Sequence, residues 1–121
     1  MIGRRGFTLG ALALGACATI SGENGMYGLI GKMTAQPGQR DALIEHLLAG
    51  TGAMPGCLSY IVARDAADAD GIWISEVWDS QESHRASLQL PAVQHAIAQA
   101  RPIIAGMGPH YETAPVGGVG L

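Results

Sequence analysis

The sequence contains little of what disulfide scaffolds, metal centres and nucleic-acid-binding surfaces require. Only 2 of its 121 residues are cysteine, 14% are charged, and the net charge is −3. It has no CxxC or HExxH spacing and no basic run with interleaved aromatic residues, so neither a metal site of these types nor a nucleic-acid partner is expected. Cys57 is the only cysteine outside the N-terminal segment, which leaves it no partner for an internal disulfide. We predict that it is a small buried apolar residue.

The sequence also lacks a long hydrophobic run, because the apolar stretch near its N-terminus is shorter than the about 20 residues that a membrane span needs. That stretch follows two arginines in "MIGRRGFTLGALALGACATISGENG" and ends in small residues, which is typical of an export signal. The letters "RRGF" resemble a twin-arginine signal, and "LGAC" resembles a bacterial lipobox, in which Cys17 would carry a lipid anchor. We therefore predict an export segment over residues 1–25 and a domain over residues 26–121.

The same segment allows more than one localisation. A functional lipobox predicts an exported, membrane-anchored lipoprotein, whereas cleavage after Ala18 predicts a periplasmic protein. A start site near Met26 would instead give a cytoplasmic protein without an export segment.

The rest of the chain alternates between strand and helix patterns. The stretches "YGLIGKMTA", "CLSYIVAR" and "IWISEVWD" have the alternation of strands, and "QRDALIEHLLAG" has apolar residues at helical spacing. Pro91 stands at the start of a second helical run, and a short last strand is predicted near His110–Thr113. The apolar face predicted for the second helix comprises Val93, Ala96, Ile97, Ala100 and Ile104. The order βαββαβ predicts an α+β, ferredoxin-like fold, in which an antiparallel sheet carries both helices on one face.

The opposite face of this sheet is also predicted to be partly apolar. Exposed apolar patches above a few hundred Å² are rare on monomeric proteins. We therefore predict a homodimer that packs two sheets face to face, with the Gly-rich tail "VGGVGL" available to cross to the partner.

Polar side chains concentrate in "EVWDSQESHRASLQLPAVQ", where the third strand passes into the second helix. Glu76 and Trp78 are two residues apart and share one strand face. Because that face also carries isoleucines, Glu76 must find a partner or take up a proton, and Arg64 on the neighbouring strand is the predicted partner.

Residues directly after this strand match the start of a helix. Asp79 and Glu82 form a D-x-x-E pattern that resembles a capping box, with Ser80 as the alternative N-cap. His84 falls in the first turns of that helix, where it is either a wall residue or a base, since imidazole exchanges protons near neutral pH.

These stretches together resemble the antibiotic biosynthesis monooxygenase family. The resemblance extends over residues 26–121, and its most specific part is the pattern E-x-W-x-S followed by L-x-x-P, which here begins at Glu76 and ends at Pro91. It implies a ferredoxin-like fold, a dimeric α/β barrel, and a pocket between sheet and helices. It further implies oxygenation of quinols or polycyclic phenols by O₂ without a metal or flavin cofactor, although other members degrade haem or isomerise small signalling molecules.

The chain departs from the haem-degrading members. Those relatives have a Trp and a later His in the helix, where this chain has Ser87 and Ile97, and a first-strand Asn, where it has Gly31. Many quinol-type members have a helix His at the position of Ser87, so His84 would point elsewhere around the helix. The resemblance therefore favours a quinol or phenol substrate over haem.

Such a reaction needs a flat apolar pocket and a base. The predicted catalytic residues are His84 first and Glu76 second. The predicted substrate-binding residues are Trp78, Tyr60, Met33 and Met107. Two functions follow: a cofactor-independent monooxygenase acting on a quinol or phenolic aromatic, or a non-catalytic dimeric domain of the same fold that binds or sequesters a small aromatic molecule.

Overall fold

The computed structural model of the chain describes residues 25–121, so Cys17 and all but the last residue of the predicted export segment lie outside the described residues. The elements in chain order are β1 (Tyr27–Ala35), α1 (Arg40–Gly50), β2 (Cys57–Arg64), β3 (Gly71–Trp78), α2 (Gln81–Ser87), α3 (Pro91–Ala100), a 3₁₀ turn (Arg101–Ile103) and β4 (Ile104–Thr113). None of the helices in residues 25–121 is long and apolar enough to cross a membrane.

The four strands form one antiparallel sheet in the order β2-β3-β1-β4. Apolar residues of α1 and α3 pack on one face of this sheet, so the predicted ferredoxin-like α+β fold is confirmed. The predicted bounds of β1 and β2 are also those of the structure, because Pro37–Gly38 follows β1 and Pro55–Gly56 precedes β2, and both pairs are turn signals.

The core between sheet and helices is divided into two clusters. One contains Tyr27, Leu29, Met54, Trp78 and Val93, and the other contains Ala35, Leu43, Ile72, Ile74 and Ala100. At the end of α1, Gly50 lets the helix approach α3 closely, because a Cβ at this position would collide with the Cβ of Ala96 and lie 3.0 Å from the carbonyl oxygen of Ala92. This close approach holds the two helices over the sheet.

The second helical region differs from the prediction, since it contains two helices rather than one. Pro91 has no backbone N–H and forces the preceding Leu90 into an extended conformation (φ −68°, ψ 134°), which separates α2 from α3. The last strand begins at Ile104, earlier than predicted, so this residue belongs to β4 and not to the helix face. The stretch "GMGP", which precedes the predicted strand, is part of β4, because β4 is an edge strand and accommodates it at a register shift opposite Gly31–Met33.

An exposed row, apolar except for one serine, crosses the sheet face that the helices leave open. In the strand register, Ile61, Ser75, Ile30 and Tyr111 stand side by side on β2, β3, β1 and β4. Ile61 and Tyr111 are each 56% exposed, and Ile30 is 38% exposed. The predicted homodimer would bury this row.

A charged cluster ties the β2–β3 loop to the sheet. Asp65 accepts hydrogen bonds from the backbone N–H of Ala67 at 2.8 Å and from the indole N–H of Trp73 at 2.7 Å, and Lys32 Nζ lies 3.2 Å from its carboxylate. These contacts lower the pKa of Asp65 to about 2, and the hydrogen bond from the Ala67 N–H contributes most. Asp68 has a lowered pKa as well, because it accepts from the backbone of Asp70 and pairs with Lys32.

Candidate active site

A cavity of about 350 Å³ lies between the sheet and the helices, where the two core clusters meet. Its lining comes from every helix and every strand, from the α1–β2 loop and from the 3₁₀ turn. Trp78, at 1% exposure, forms part of its closed wall, whereas Met107 is 66% exposed and Leu88 is 42% exposed. The cavity therefore has a closed apolar interior and a mouth beside β4 and the end of α3.

The structure brings all six predicted site residues to this cavity. The lining includes Met33, Tyr60, Glu76, Trp78, His84 and Met107. Strand register explains most of this grouping, because β3 lies between β1 and β2, and β4 pairs with β1 on its other side. Tyr60 stands opposite Glu76, and Met33 stands opposite Met107. The catalytic and binding roles assigned to these residues stay predictions.

Glu76 is held inside the cavity by Trp78. The indole N–H of Trp78 donates a hydrogen bond of 2.9 Å to Glu76 Oε1, and the Glu76 side chain is 17% exposed. The prediction that Arg64 pairs with Glu76 is wrong. Arg64 lies opposite Ile72 in the register and pairs instead with the exposed Asp41, at 3.0 Å.

His84 lies beside Glu76 in the last turn of α2. Its Nε2 atom is 4.0 Å from Glu76 Oε1, which is longer than a hydrogen bond. The imidazole packs edge-on against Trp78, with ring centroids 5.4 Å apart, and lies 5.6 Å from the ring of Tyr27. Aromatic neighbours thus hold the imidazole next to the carboxylate in a largely enclosed position.

The helix α2, which carries His84, has Ser80 as its N-cap. Ser80, the alternative in the sequence prediction, accepts a hydrogen bond of 3.1 Å from the backbone N–H of Ser83. The prediction that Asp79 is the cap is therefore wrong. Asp79 directly follows β3 and is exposed, and its backbone N–H donates a hydrogen bond to the carbonyl oxygen of Gly56.

Two tyrosines and the cysteine near the cavity are held in their neutral forms. Burial is the main cause, and the negative charge of Glu76 the second, that raises the pKa of Tyr60 well above its usual value. Burial and the hydrogen bond to Glu112 raise the pKa of Tyr27 to about 12. Cys57 is half-buried rather than fully buried, and burial raises the pKa of its thiol. None of these three groups is therefore a base at neutral pH, which leaves His84 and Glu76 for proton transfer.

Several lining residues were not predicted from the sequence. In the sequence, Ser87 marks departures from the haem-degrading and quinol-type patterns and is not a predicted site residue, yet it is buried in the wall and donates a hydrogen bond of 2.6 Å to the carbonyl oxygen of His84. Its spacing from His84 on one helix was an available signal. No pattern in the sequence indicates that Arg101 lies at the mouth of the cavity, because its position depends on how α3 docks on the sheet.

The His, Cys, Asp and Glu side chains of the described residues do not form a metal site. In residues 25–121, no group of three or more His, Cys, Asp and Glu side chains is close enough to hold one. The part of the cavity suited to chemistry is the pair of His84 and Glu76, so proton transfer is the chemistry that these side chains offer.

Comparison with known proteins identifies the family. The sequence model of the antibiotic biosynthesis monooxygenase family matches residues 26–99. A proposed antibiotic biosynthesis monooxygenase of Chloroflexus aurantiacus is 68% identical, with a TM-score of 0.76 over 77% of this chain and 95% of that chain. The chain therefore belongs to the antibiotic biosynthesis monooxygenase family.

More distant structures share the fold. A proposed family member of Caulobacter crescentus is 20% identical, with a TM-score of 0.70 over 78% of this chain and 92% of that chain. Another, of Nitrosomonas europaea, is 15% identical, with a TM-score of 0.66 over 80% of this chain and 93% of that chain. At these identities the likeness concerns the fold alone. No curated protein matches the chain.

Proposed function

We propose that the protein is a cofactor-independent monooxygenase that oxygenates a quinol or phenolic aromatic with O₂. The observation that carries the proposal is an apolar cavity with one imidazole and one carboxylate 4.0 Å apart in its wall. Family membership supports the reaction class.

The cavity suits a flat apolar ring. Its volume of about 350 Å³ lies at the lower end of the range for small-molecule sites, so a compact aromatic is favoured. Trp78 and Tyr60 offer ring surfaces, and Met33 and Met107 offer flexible thioethers that adapt to an aromatic face.

The proposed reaction begins with a proton transfer. His84 takes the proton of the bound hydroxyl, and the resulting imidazolium is stabilised by the neighbouring Glu76 carboxylate. The indole N–H of Trp78 holds that carboxylate in place while the charge forms. The substrate becomes an electron-rich phenolate, which is the form that reacts with O₂.

The substrate then supplies all the electrons. One oxygen atom of O₂ forms a new bond to a ring carbon, the C–H bond at that carbon breaks, and the other oxygen atom leaves as water. A phenol with an unsubstituted position is thereby converted to a quinone, so the atoms and electrons balance without an external reductant. The walls contribute by excluding bulk water from the reacting anion.

Oxygen uptake tests the proposal. An O₂ electrode would follow wild-type protein and variants with a panel of naphthols and quinols, after subtraction of autoxidation. We expect His84→Ala to lower kcat at least about tenfold, because general-base catalysis is typically worth about 10²–10⁴ in rate. His95→Ala is the matched control, since His95 is exposed on α3 and does not line the cavity.

The outcomes separate the two candidate functions. Unchanged turnover in His84→Ala would remove His84 as the base and leave Glu76 to be tested by Glu76→Gln. Tight aromatic binding without any oxygen uptake above autoxidation would indicate a protein that binds or sequesters its ligand instead.

A further inference from the structure

Arg101 occupies an unusual position among the cations of the described chain. Lys32 pairs with aspartates, Arg40 donates to carbonyl oxygens of the β2–β3 loop, and Arg64 pairs with an aspartate. Among residues 25–121, neither Arg85 nor Arg101 has a side-chain hydrogen bond or ion pair, and of these two only Arg101 lines the cavity.

Arg101 lies where the cavity opens to solvent. A second hollow of about 280 Å³ adjoins the mouth and shares Leu88, Ile97 and Arg101 with the main cavity. Arg101 is exposed at the end of α3, so its charge faces the route by which a ligand enters.

The cavity wall therefore carries charges of opposite sign, one enclosed at Glu76 and one exposed to solvent at Arg101. Glu76 lies in the interior, bonded to Trp78, and repels an anion placed there. Arg101 at the mouth attracts one, and its planar guanidinium matches a carboxylate in two-pronged geometry. The walls between them are mostly apolar and suit a ring.

We propose that Arg101 binds a carboxylate on the aromatic substrate, so that the substrate class is hydroxyaromatic acids. The carboxylate lies at the mouth, the ring fills the apolar middle, and the hydroxyl points to His84. This inference rests on the proposed function, since it places the reacting hydroxyl at the His84 end of the same cavity.

A structural role for Arg101 makes a different prediction. Arg101 follows the last turn of α3, where a cation interacts favourably with the helix dipole. That role would change the stability of the fold and would not distinguish a neutral ligand from an anionic one.

Paired ligands test the inference by isothermal titration calorimetry at neutral pH. The probes are a naphthol and the corresponding hydroxynaphthoate, which differ by the carboxylate. We expect wild-type protein to prefer the acid by about five- to tenfold, as for a single charge-assisted contact at a partly exposed site. The preference should decrease as salt is raised, because screening weakens exposed charge pairs.

Three variants assign the preference to one residue. Arg101→Gln should abolish it while leaving the affinity for the naphthol within about twofold, and Arg101→Lys should retain most of it. Arg85→Gln removes the same charge from the exposed surface of α2 and should leave the preference unchanged. Thermal unfolding of each variant checks that the fold is intact.

The outcomes distinguish this inference from the proposed function. Equal binding of both probes by wild-type protein would overturn the role of Arg101 and leave the proposed function standing. Equal weakening of both probes in Arg101→Gln, or loss of the preference in Arg85→Gln, would also overturn it. Failure of both probes to bind wild-type protein would overturn the proposed function and this inference together.

Discussion

The hydrogen bond from Trp78 to Glu76 is open to direct measurement by a double-mutant cycle. Trp78→Phe keeps an aromatic ring in the core but removes the indole N–H, and Glu76→Met keeps the length of the side chain but removes the acceptor. Both residues are well enclosed, with Trp78 1% exposed and the Glu76 side chain 17% exposed. The coupling energy between the two substitutions isolates the bond, because the other contacts of each residue cancel.

The magnitude follows from the burial. A hydrogen bond to a charged group contributes about 1.5–3 kcal/mol, and we expect a coupling of about 1.5 kcal/mol because Glu76 keeps some contact with solvent. Trp78→Phe alone should cost about 2–4 kcal/mol, since it also removes buried ring atoms from the core. For a domain of this size, a loss of 1 kcal/mol lowers the Tm by about 4–8 °C.

Urea unfolding followed by far-ultraviolet circular dichroism would measure all four proteins of the cycle. Fluorescence is less suitable, because Trp78 is one of the two tryptophans of the chain. A coupling below about 0.5 kcal/mol is within the error of additivity and would refute the conclusion that Trp78 holds Glu76 in place.

Three further predictions concern capping, pH and assembly. Ser80→Ala should lower the unfolding free energy by about 0.5–2 kcal/mol, whereas Asp79→Ala should have a clearly smaller effect, and urea unfolding compares them. The pKa of Asp65 is lowered to about 2 from 3.8, so the stability that this carboxylate contributes is present at higher pH and is lost as the pH falls from about 4 to about 2. Asp65→Asn should therefore flatten the dependence of Tm on pH in that window. A variant with the same dependence as the wild-type protein would contradict this prediction. We propose that two copies of the chain pack through the exposed row on the open sheet face and form a homodimer. Light scattering should give twice the chain mass for the wild-type protein, and Ile61→Glu should give a folded monomer. The control Leu48→Glu, on the exposed side of α1, should remain dimeric. A wild-type monomer with native circular dichroism would contradict the dimer.

Much of the fold could be predicted from local pattern. The alternation in "YGLIGKMTA" and "CLSYIVAR" fixed the ends of β1 and β2, and the spacing of Glu76 and Trp78 placed both side chains on one face of β3. The boundaries that failed lie where local signals conflict. A Gly- and Pro-containing stretch in β4 resembles a loop, and only an edge position makes it acceptable as a strand.

The candidate site was predictable in composition but not in its contacts. Aromatic, Met, His and Glu side chains suit a ring-binding pocket, and all six residues predicted on that ground line one cavity. Their partners could not be chosen in this way. Arg64 is on the strand next to Glu76, but the register puts Tyr60 opposite Glu76 and sends Arg64 to Asp41.

The sequence by itself determined the order of the four strands, the position of the first helix and the family of the protein. These properties depend on periodicity and on motifs within short stretches, where each residue is read with its near neighbours. The tertiary structure decided which side chains meet: the indole of Trp78 with Glu76, His84 beside both, and Arg101 at the mouth of the cavity. Such contacts depend on strand register and on how α2 and α3 dock on the sheet, and both are set by long-range packing that no local pattern contains.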